Sequence, residues 1–204
     1  MTTAIYERQQ SLNLVRLTSV AVVGAGGTGT PVATLIAMTG VDTLYLFDDD
    51  NLELSNLNRL PYTLTHIGRP KVEILKEYLN TIRPEMFVML CPKAGEYTLG
   101  LCSDAQHLFD CTDSQATQTM INNWCKEHGV PYTRVGYDGL HITVSESVPQ
   151  WATEQARGGY RNTPSWVAPP ALAATLAVLG AFLSMPIEAN LDIRDLPRIL
   201  KEAQ

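Results

Sequence analysis

The segments that decide the fold read VAVVGAGGTG (20–29), LYLFDDD (44–50) and LELSNLNR (52–59). A short apolar run comes directly before the glycines, and a second apolar run follows after a gap of helix length. This order predicts a strand near 19–23, a helix near 27–39 and a second strand near 43–47. The chain therefore contains a βαβ unit, which is the typical start of a nucleotide-binding sheet.

Composition describes an acidic protein with enough apolar residues for one core. The chain has 204 residues, of which 45% are hydrophobic, so we expect a single α/β domain over 1–204. Its formal net charge of -6 and its pI of about 5.2 argue against a nucleic acid or an anionic membrane surface as main partner. The N-terminus lacks the apolar segment of a signal peptide, and the longest apolar run, 171–185, is too short to span a bilayer easily. We expect a cytoplasmic protein that binds neither nucleic acid nor membranes.

Strands and helices alternate along the rest of the chain. Further strands are predicted near 86–90, 107–111, 131–136 and 138–144, and further helices near 70–82 and 115–128. The polar stretch 145–166 is predicted to be a long loop, and 169–204 to form C-terminal helices. This alternation favours a Rossmann-like, mostly parallel sheet with helices on both faces and ligands at the carboxyl ends of the strands.

The candidates for binding a phosphate are the glycines after the first strand, namely Gly24, Gly26, Gly27 and Gly29. They allow a tight turn and close backbone approach, and the N–H groups and dipole of the following helix attract an anion. This pattern alone supports an NAD or FAD enzyme at least as well as an ATP enzyme. A turn that binds nothing is disfavoured by the position of the glycines.

Three aspartates follow the second strand. Asp48 stands where a carboxylate accepts hydrogen bonds from ribose hydroxyls. Asp49 is expected to be solvated or to cap the next segment. Asp50 has three possible roles, which are to orient Asn56, to orient Arg59, or to approach a metal-bound phosphate.

The segment SNLNR (55–59) adds polar groups that a plain dinucleotide site does not need. Arg59 offers fixed, planar donors to a phosphate, and Asn56 can bind a phosphate or a ribose without adding charge. A polar surface turn is the alternative. The short distance along the chain to the phosphate turn favours a functional role.

Two charged residues further along the chain are also candidates. Lys71 lies in the first turn of a predicted helix, where the helix dipole repels a cation unless an anion or solvent offsets the repulsion. Asp113 follows the fourth strand, where a carboxylate can hold Mg²⁺ on the phosphates of ATP. Asp113 or Ser114 can also serve as the N-cap of the next helix.

Four motifs occur in order, and they read GAGGTG, FDDDNLELSNLNR, GRPKVE and DCTDS. In this order and spacing the chain resembles the ThiF/MoeB family, the bacterial relatives of ubiquitin-activating enzymes, over about 6–135 and more loosely at the helix that starts near 171. Linked motifs are more specific than any single one.

The resemblance implies a Rossmann-like domain that binds ATP and Mg²⁺. Such a domain adenylates the C-terminal glycine carboxylate of a small ubiquitin-fold or sulfur-carrier protein and releases pyrophosphate. It assigns Asp48 to the ribose, Asn56, Arg59 and Lys71 to the phosphate side, and Asp113 to the metal. It also implies that Arg8 reaches into the site of a neighbouring subunit, which predicts a homodimer; an exposed arginine on a short N-terminal helix is the alternative.

The chain also departs from the family pattern. It lacks the paired Cys-x-x-Cys motifs that often hold structural zinc, so no zinc is expected. The stretch 145–170 contains no cysteine, which puts a covalent transfer step in doubt. Cys102, in a predicted loop, is the one thiol considered for such a step. The same stretch carries Arg157 and Arg161 and is where we expect the acceptor to be chosen.

Three hypotheses remain open at this point. The first is a minimal adenylyltransferase that stops at the acyl-adenylate. The second is an NAD-dependent oxidoreductase, which leaves SNLNR, Lys71 and Asp113 unexplained. The third is a nucleotide-binding scaffold without catalysis, which recruits a ubiquitin-like partner.

Overall fold

The computed structural model describes residues 5–148 and 164–202. Its strands are β1 (Ser19–Val23), β2 (Thr43–Phe47), β3 (Phe87–Cys91), β4 (Leu108–Asp110), β5 (Tyr132–Asp138), β6 (His141–Ser145) and β7 (Ala189–Asp192). They form one sheet in the order β3-β2-β1-β4-β5-β6-β7. The first five strands are parallel, while β6 and β7 join in antiparallel fashion. The predicted α/β fold with a mostly parallel sheet is confirmed.

Helices cover both faces of this sheet. They are α1 (Gly29–Thr39), α2 (Lys71–Ile82), α3 (Gln115–His128), α4 (Ala168–Leu183) and α5 (Leu196–Glu202). Val20 and Val22 of β1 belong to the core that α1, α2 and α4 complete. Ala21 and Val23 point to the other face and join the core under α3. Such a strand, buried on both faces, explains the continuous apolar run before the glycines.

Strand register brings the ends of the central strands together at one edge. Val23 is paired with Phe47 of β2 and with Asp110 of β4. The residues that follow these three positions, including Gly24 and Asp48, therefore leave the sheet side by side. Strand order reverses between β1 and β4, which is the switch point where open α/β sheets bind ligands.

The C-terminal part differs from the prediction of helices over 169–204. Residues 189–192 form β7, which pairs with β6 from Ala189 opposite Val144 to Asp192 opposite His141. Up to residue 202, where the described part of the chain ends, α4 and the short α5 are the only α-helices of this region, with a 3₁₀ turn at Ile193–Asp195. The segment ANLD shows no apolar alternation of its own, so its extended form depends on backbone pairing with β6.

The start of the first helix also differs from the prediction. This helix begins at Gly29 and not near 27, because the preceding residues form the turn. Of the predicted loop 145–166, residues 149–163 lie outside the described residues.

Within the part of the chain that the structure describes, no helix is both long enough and apolar enough to cross a membrane.

Candidate functional site

The glycine turn between β1 and α1 is fixed by close contacts that exclude larger residues. Gly24 has a φ of +98°, and a Cβ atom there would lie 2.8 Å from the carbonyl oxygen of Cys111. A Cβ on Gly29 would lie 1.7 Å from the carbonyl oxygen of Gly24. A Cβ on Gly26, in contrast, would meet nothing within 4 Å. The turn is thus closed toward the protein and open at Gly26, where a ligand can approach the backbone.

Asp48 ties the end of β2 to this turn. Its carboxylate accepts the N–H of Ala25 at 2.6 Å and the N–H of Asp50 at 2.8 Å. Burial raises the pKa of Asp48, and the two N–H donors act against that shift by stabilising the charged form. The carboxylate is therefore held rigidly at the rim of the turn, at the position predicted for a ribose.

Asp50 has a different partner from those expected. Its Oδ2 accepts a hydrogen bond from Nζ of Lys71 at 2.7 Å, and its carbonyl accepts the N–H of Lys71 at 3.0 Å. The partner of the Asp50 side chain among the described residues is thus Lys71, at the start of α2, and not Asn56 or Arg59. The third role, approach to a metal-bound phosphate, stays a prediction. The charge of Lys71 is offset by this carboxylate, and the lysine side chain is 12% exposed against 69% for Asp50.

The segment SNLNR includes the end of the 3₁₀ helix Leu54–Asn56. Asn56 is buried, and its Oδ1 accepts the N–H of Glu53 at 3.1 Å, so its amide is partly used to close a 3₁₀ turn. Nη1 of Arg59 donates to the carbonyl of Ser55 and to Oδ1 of Asn58, each at 2.9 Å. The guanidinium is thereby held in place by its own segment.

One N–H donor of Arg59 is not used by these contacts. Among the described residues its Nε is buried without a hydrogen-bond partner. Its Cδ would lie 3.2 Å from a Cβ on Gly27, so the side chain passes directly over the glycine turn. A buried donor without a partner beside an anion-binding turn fits a phosphate oxygen as its acceptor.

The sequence left open whether Asp113 or Ser114 caps the next helix and whether Asp113 is available to a metal. Ser114 is the N-cap of α3, and its Oγ accepts the N–H of Thr117 at 3.4 Å. Asp113 is exposed and has no hydrogen-bond or ion-pair partner within residues 5–148 and 164–202. Its carboxylate is therefore available to a ligand, whereas the capping role belongs to Ser114.

The donor set suits a magnesium ion that is held mainly by a substrate. In the described ranges no three or more His, Cys, Asp or Glu side chains gather into a metal site. Mg²⁺ commonly takes one or two protein carboxylates together with substrate phosphates, and Asp113 supplies such a carboxylate next to the phosphate turn.

One cavity of about 580 Å³ contains these groups. Its lining includes most of the residues predicted from the sequence, namely Gly24, Gly26, Gly27, Asp48, Asp50, Asn56, Arg59, Lys71 and Asp113. Gly29 does not line the cavity, but its lack of a side chain allows the close approach to the carbonyl of Gly24 within the turn. The cavity opens at the β1/β4 switch point, as expected for a nucleotide site in this type of sheet.

Sequence reasoning missed other residues of the cavity. Lys93 follows β3, and its Nζ pairs with Asp49 at 3.0 Å, so Asp49 is not merely solvated. Tyr137 of β5 also lines the cavity, and its hydroxyl would lie 2.7 Å from a Cβ on Gly27. Ligands meet the carboxyl ends of parallel strands. Applied to β3 and β5, this rule was enough to predict that Lys93 and Tyr137 line the cavity.

Arg8 lies away from the cavity of its own chain. It is exposed on the 3₁₀ helix Glu7–Leu12, and the neighbouring Gln9 donates to the carbonyl of Thr39 at 2.7 Å. Thr39 is the last residue of α1, so this segment sits at the amino-terminal edge of the sheet. The structure does not bring Arg8 together with the other candidates, and Arg157 and Arg161 lie outside the described residues.

The cysteines are poorly placed for covalent chemistry. Cys102, which was predicted to lie in a loop, instead ends a 3₁₀ helix, and its exposed fraction is 0%. Burial raises the pKa of the Cys102 thiol to about 12, and that of Cys125 to about 12 as well. Cys111 lines the cavity, but burial raises its pKa too. A thiol that resists ionisation is a weak nucleophile.

Known proteins share both the sequence and the fold. A model of the ThiF family matches residues 3–164. The chain is 34% identical over 138 residues to the sulfur carrier protein ThiS adenylyltransferase of Escherichia coli, which covers 65% of this chain and 54% of that protein. The chain thus spans about half the length of this relative.

Two solved structures from Escherichia coli resemble the fold at low sequence identity. The structure of MccB with ATP has a TM-score of 0.70 and 17% identity, covering 86% of this chain and 64% of that one. The tRNA N6-threonylcarbamoyladenosine dehydratase TcdA, in complex with AMP, has a TM-score of 0.70 and 19% identity, covering 82% and 86%. At such identities the likeness establishes the fold alone.

Proposed function

The chain belongs to the ThiF family, and on this premise we propose that it is an ATP-dependent adenylyltransferase. Its substrate would be the C-terminal carboxylate of a small ubiquitin-like or sulfur-carrier protein, and pyrophosphate would be released. The name of the Escherichia coli relative, an adenylyltransferase of the sulfur carrier ThiS, supports this choice. Family membership also favours adenylation over hydride transfer from NAD.

One observation carries the proposal. A single cavity combines a glycine turn open at Gly26, a fixed ribose-type carboxylate at Asp48, two cations at Arg59 and Lys71, and the exposed carboxylate of Asp113, which has no partner among the described residues. A dinucleotide site needs the first two of these groups only. Two cations and a further carboxylate in the same cavity suit a triphosphate that is cleaved.

The chemistry asks the protein to position groups and to stabilise charge. An oxygen of the acceptor carboxylate attacks the α-phosphorus, the bond from that phosphorus to the bridging oxygen breaks, and pyrophosphate leaves. The N–H groups of the turn hold the phosphates, and Arg59 donates its free Nε to an oxygen that gains charge. Lys71 supplies a second positive charge from the start of α2. The attacking group is already a carboxylate, so no general base is required.

Asp113 would hold Mg²⁺ on the phosphates. When bound, the ion neutralises phosphate charge and orients the leaving group. Asp113 directly precedes Ser114, the N-cap of α3, so its backbone lies at the start of that helix. Its position at the rim of the cavity leaves the inner turn to the phosphates.

The assembly and location of the protein belong to the same proposal. A homodimer would let Arg8, which lies at the far edge of its own sheet, reach the cavity of a second copy. The acidic surface suits a cytoplasmic protein that meets a small protein partner. No cysteine of the described ranges combines exposure with a low pKa, which supports an enzyme that stops at the acyl-adenylate.

Pyrophosphate exchange tests the proposed function. The full chain is incubated with ATP, Mg²⁺, labelled pyrophosphate and each ubiquitin-fold protein from the same genome. We expect label to enter ATP with one partner and not in its absence. ATP binding without exchange for any partner would favour a scaffold, and NAD binding without ATP binding would overturn the assignment.

A further inference from the structure

The segment 164–166, directly before α4, is tied to two distant parts of the chain. The N–H of Gly139, in the turn between β5 and β6, donates to the carbonyl of Pro164 at 2.9 Å. Nδ2 of Asn58 donates to the carbonyl of Ser165 at 2.6 Å, although these two residues are 107 positions apart. The segment 164–166 therefore connects the end of β5 with the SNLNR segment.

Tyr137 brings this segment to the glycine turn. Its hydroxyl donates to Oγ of Ser165 at 3.2 Å, and the same hydroxyl would lie 2.7 Å from a Cβ atom on Gly27. Cδ of Arg59 would lie 3.2 Å from that Cβ atom. Tyr137 and Arg59 thus approach Gly27 together, and Ser165 and Asn58 complete the connection between them.

The side-chain amide of Asn58 contacts the segment 164–166 and Arg59 at the same time. Its Nδ2 donates to the carbonyl of Ser165, and its Oδ1 accepts Nη1 of Arg59 at 2.9 Å. An aspartate would offer no donor to the carbonyl, and a lysine would offer no acceptor to the guanidinium. The two contacts thus use the two different groups of the amide.

The contact with Asn58 helps to set the direction of the Arg59 guanidinium. Nη1 of Arg59 donates to the carbonyl of Ser55 and to Oδ1 of Asn58, each at 2.9 Å. Because a guanidinium is planar, two acceptors on one nitrogen restrict its plane and hence the direction of Nε. This Nε is the buried donor that has no hydrogen-bond partner among the described residues. Loss of the Asn58 acceptor would leave the guanidinium held by the Ser55 carbonyl and less restricted in direction.

Asn58 lies outside the nucleotide cavity. Arg59 lines that cavity, whereas Asn58 and Ser165 are not among the described residues that do so. Asn58 instead lines a neighbouring cleft of about 440 Å³, which Arg59 also lines. An effect of Asn58 on nucleotide binding therefore requires a residue in between, and Arg59 is its direct partner in the cavity.

We propose that Asn58 is a positioning residue that couples the segment 164–166 to Arg59 and so to the phosphates of ATP. A phosphate oxygen on Nε fixes the guanidinium, the guanidinium orients the amide of Asn58, and the amide holds the carbonyl of Ser165. Such coupling is reciprocal, so bound ATP stabilises the segment 164–166 and the held segment favours ATP. The inference rests on the proposed function, because it takes ATP as the ligand of Arg59. It adds a regulatory contact between that site and the chain that enters α4.

A double-mutant cycle on nucleotide binding tests the coupling. The full chain, Asn58→Ala, Arg59→Met and the double variant are titrated calorimetrically with a non-hydrolysable ATP analogue and Mg²⁺. We expect Asn58→Ala to raise the Kd of the analogue about threefold to tenfold, as for the loss of one hydrogen bond. In the Arg59→Met background the same change should leave the Kd unchanged, because no guanidinium remains to be positioned. Equal effects of Asn58→Ala in both backgrounds would overturn the inference.

A matched control excludes a general effect of replacing an asparagine. Asn80→Ala, at an exposed position of α2 outside the nucleotide cavity, should change the Kd in neither background. Because Asn58 is exposed as well, we expect thermal melts to show folded protein for both variants. An equal rise in Kd for Asn80→Ala and Asn58→Ala would contradict a specific role of Asn58.

Hydrogen exchange measures the same coupling from the segment before α4. In the unmodified chain we expect the ATP analogue to slow exchange of the backbone amides at 165–167 by about threefold to tenfold, since the coupling is reciprocal. Asn58→Ala should abolish this slowing, and Asn80→Ala should retain it. Exchange at 165–167 that does not respond to the analogue in the unmodified chain would overturn the inference, and this result depends on no variant.

Pyrophosphate exchange separates this inference from the proposed function. Binding of the analogue with the expected coupling, but without pyrophosphate exchange for any partner, would remove the adenylyltransferase assignment and support the coupling. Pyrophosphate exchange together with equal effects of Asn58→Ala in both backgrounds would overturn the inference alone. An unmodified chain that does not bind the analogue would overturn both.

Discussion

Nζ of Lys71 lies 2.7 Å from Oδ2 of Asp50, and the backbone N–H of Lys71 donates to the carbonyl of the same aspartate. The lysine is thus held at both ends by one residue at the end of β2. From the sequence alone, either an anion or solvent was expected to offset the repulsion between Lys71 and the dipole of its helix. The observed carboxylate holds the ammonium group in the cavity beside the glycine turn, where a bound phosphate would be able to replace Asp50 as its partner.

Replacing Lys71 should lower the rate of pyrophosphate exchange without unfolding the protein. For Lys71→Met we expect a loss of pyrophosphate exchange of about 10-fold to 100-fold, since a hydrogen bond to a charged group contributes about 1.5 to 3 kcal/mol. Lys76→Met, on the same helix but outside the cavity, is the control. Equal exchange rates for the two variants would remove Lys71 from the site.

Two glycine substitutions should separate binding from folding. Gly26→Ala places a methyl group in open space, so we expect an unchanged Tm but an ATP Kd raised about 10-fold to 100-fold by the steric conflict with phosphate. Gly29→Ala forces a Cβ against the carbonyl of Gly24, which should cost about 3 kcal/mol or more of stability.

Thermal melts and nucleotide titration measure both effects. Gly100→Ala, which also meets nothing within 4 Å, serves as the control outside the cavity. Normal ATP binding by Gly26→Ala would mean that no ligand approaches the open side of the turn. A stable Gly29→Ala protein would contradict the close packing of the turn.

Asp113 should be required for exchange but not for the fold. It has no partner within the described residues, and Ser114 caps the helix, so Asp113→Asn should change the free energy of unfolding by no more than about 0.5 kcal/mol. Exchange should fall below detection, because the carboxylate proposed to hold Mg²⁺ is lost. Glu127→Gln, an exposed position on the same helix, is the control. An active Asp113→Asn enzyme would end the metal assignment.

Buried thiols should be slow to react in the native protein. Burial raises the pKa of Cys102 from about 9 to about 12, so its reactive thiolate is scarce at pH 8 and increases only as the pH approaches 12. We expect no labelling of Cys102 by iodoacetamide at pH 8 until denaturant is added. The variant Cys102→Ser should retain exchange, and rapid native labelling with loss of exchange would revive a covalent step.

The sequence predicted those parts of the fold and site that depend on local signals. The apolar run, the glycine turn and Asp48 lie within one βαβ unit, so a single pattern located all three. The hydrogen bond between Arg134 and Gln118 escaped prediction because the two residues meet only after β5 and α3 pack together. The pairing of Asp50 with Lys71 likewise depends on where α2 starts relative to β2.

Two errors have a common physical origin. ANLD at 189–192 has no strand pattern and is extended because β6 offers it an edge. The residues around Cys102 are rich in turn formers, yet a 3₁₀ helix folds this thiol under α3, in the core that includes Leu99 and Trp124. Contacts between distant segments decide both cases, and no local pattern records them.

The most direct test of adenylation follows an oxygen atom. The ubiquitin-fold protein that supports exchange is prepared with ¹⁸O in its C-terminal carboxylate and incubated with the full chain, ATP, Mg²⁺ and hydroxylamine. Attack on the α-phosphorus transfers one carboxylate oxygen to the nucleotide, and hydroxylamine then releases AMP and leaves a hydroxamate on the protein. We predict AMP that carries one ¹⁸O atom; unlabelled AMP, or ADP as the product, would contradict the account.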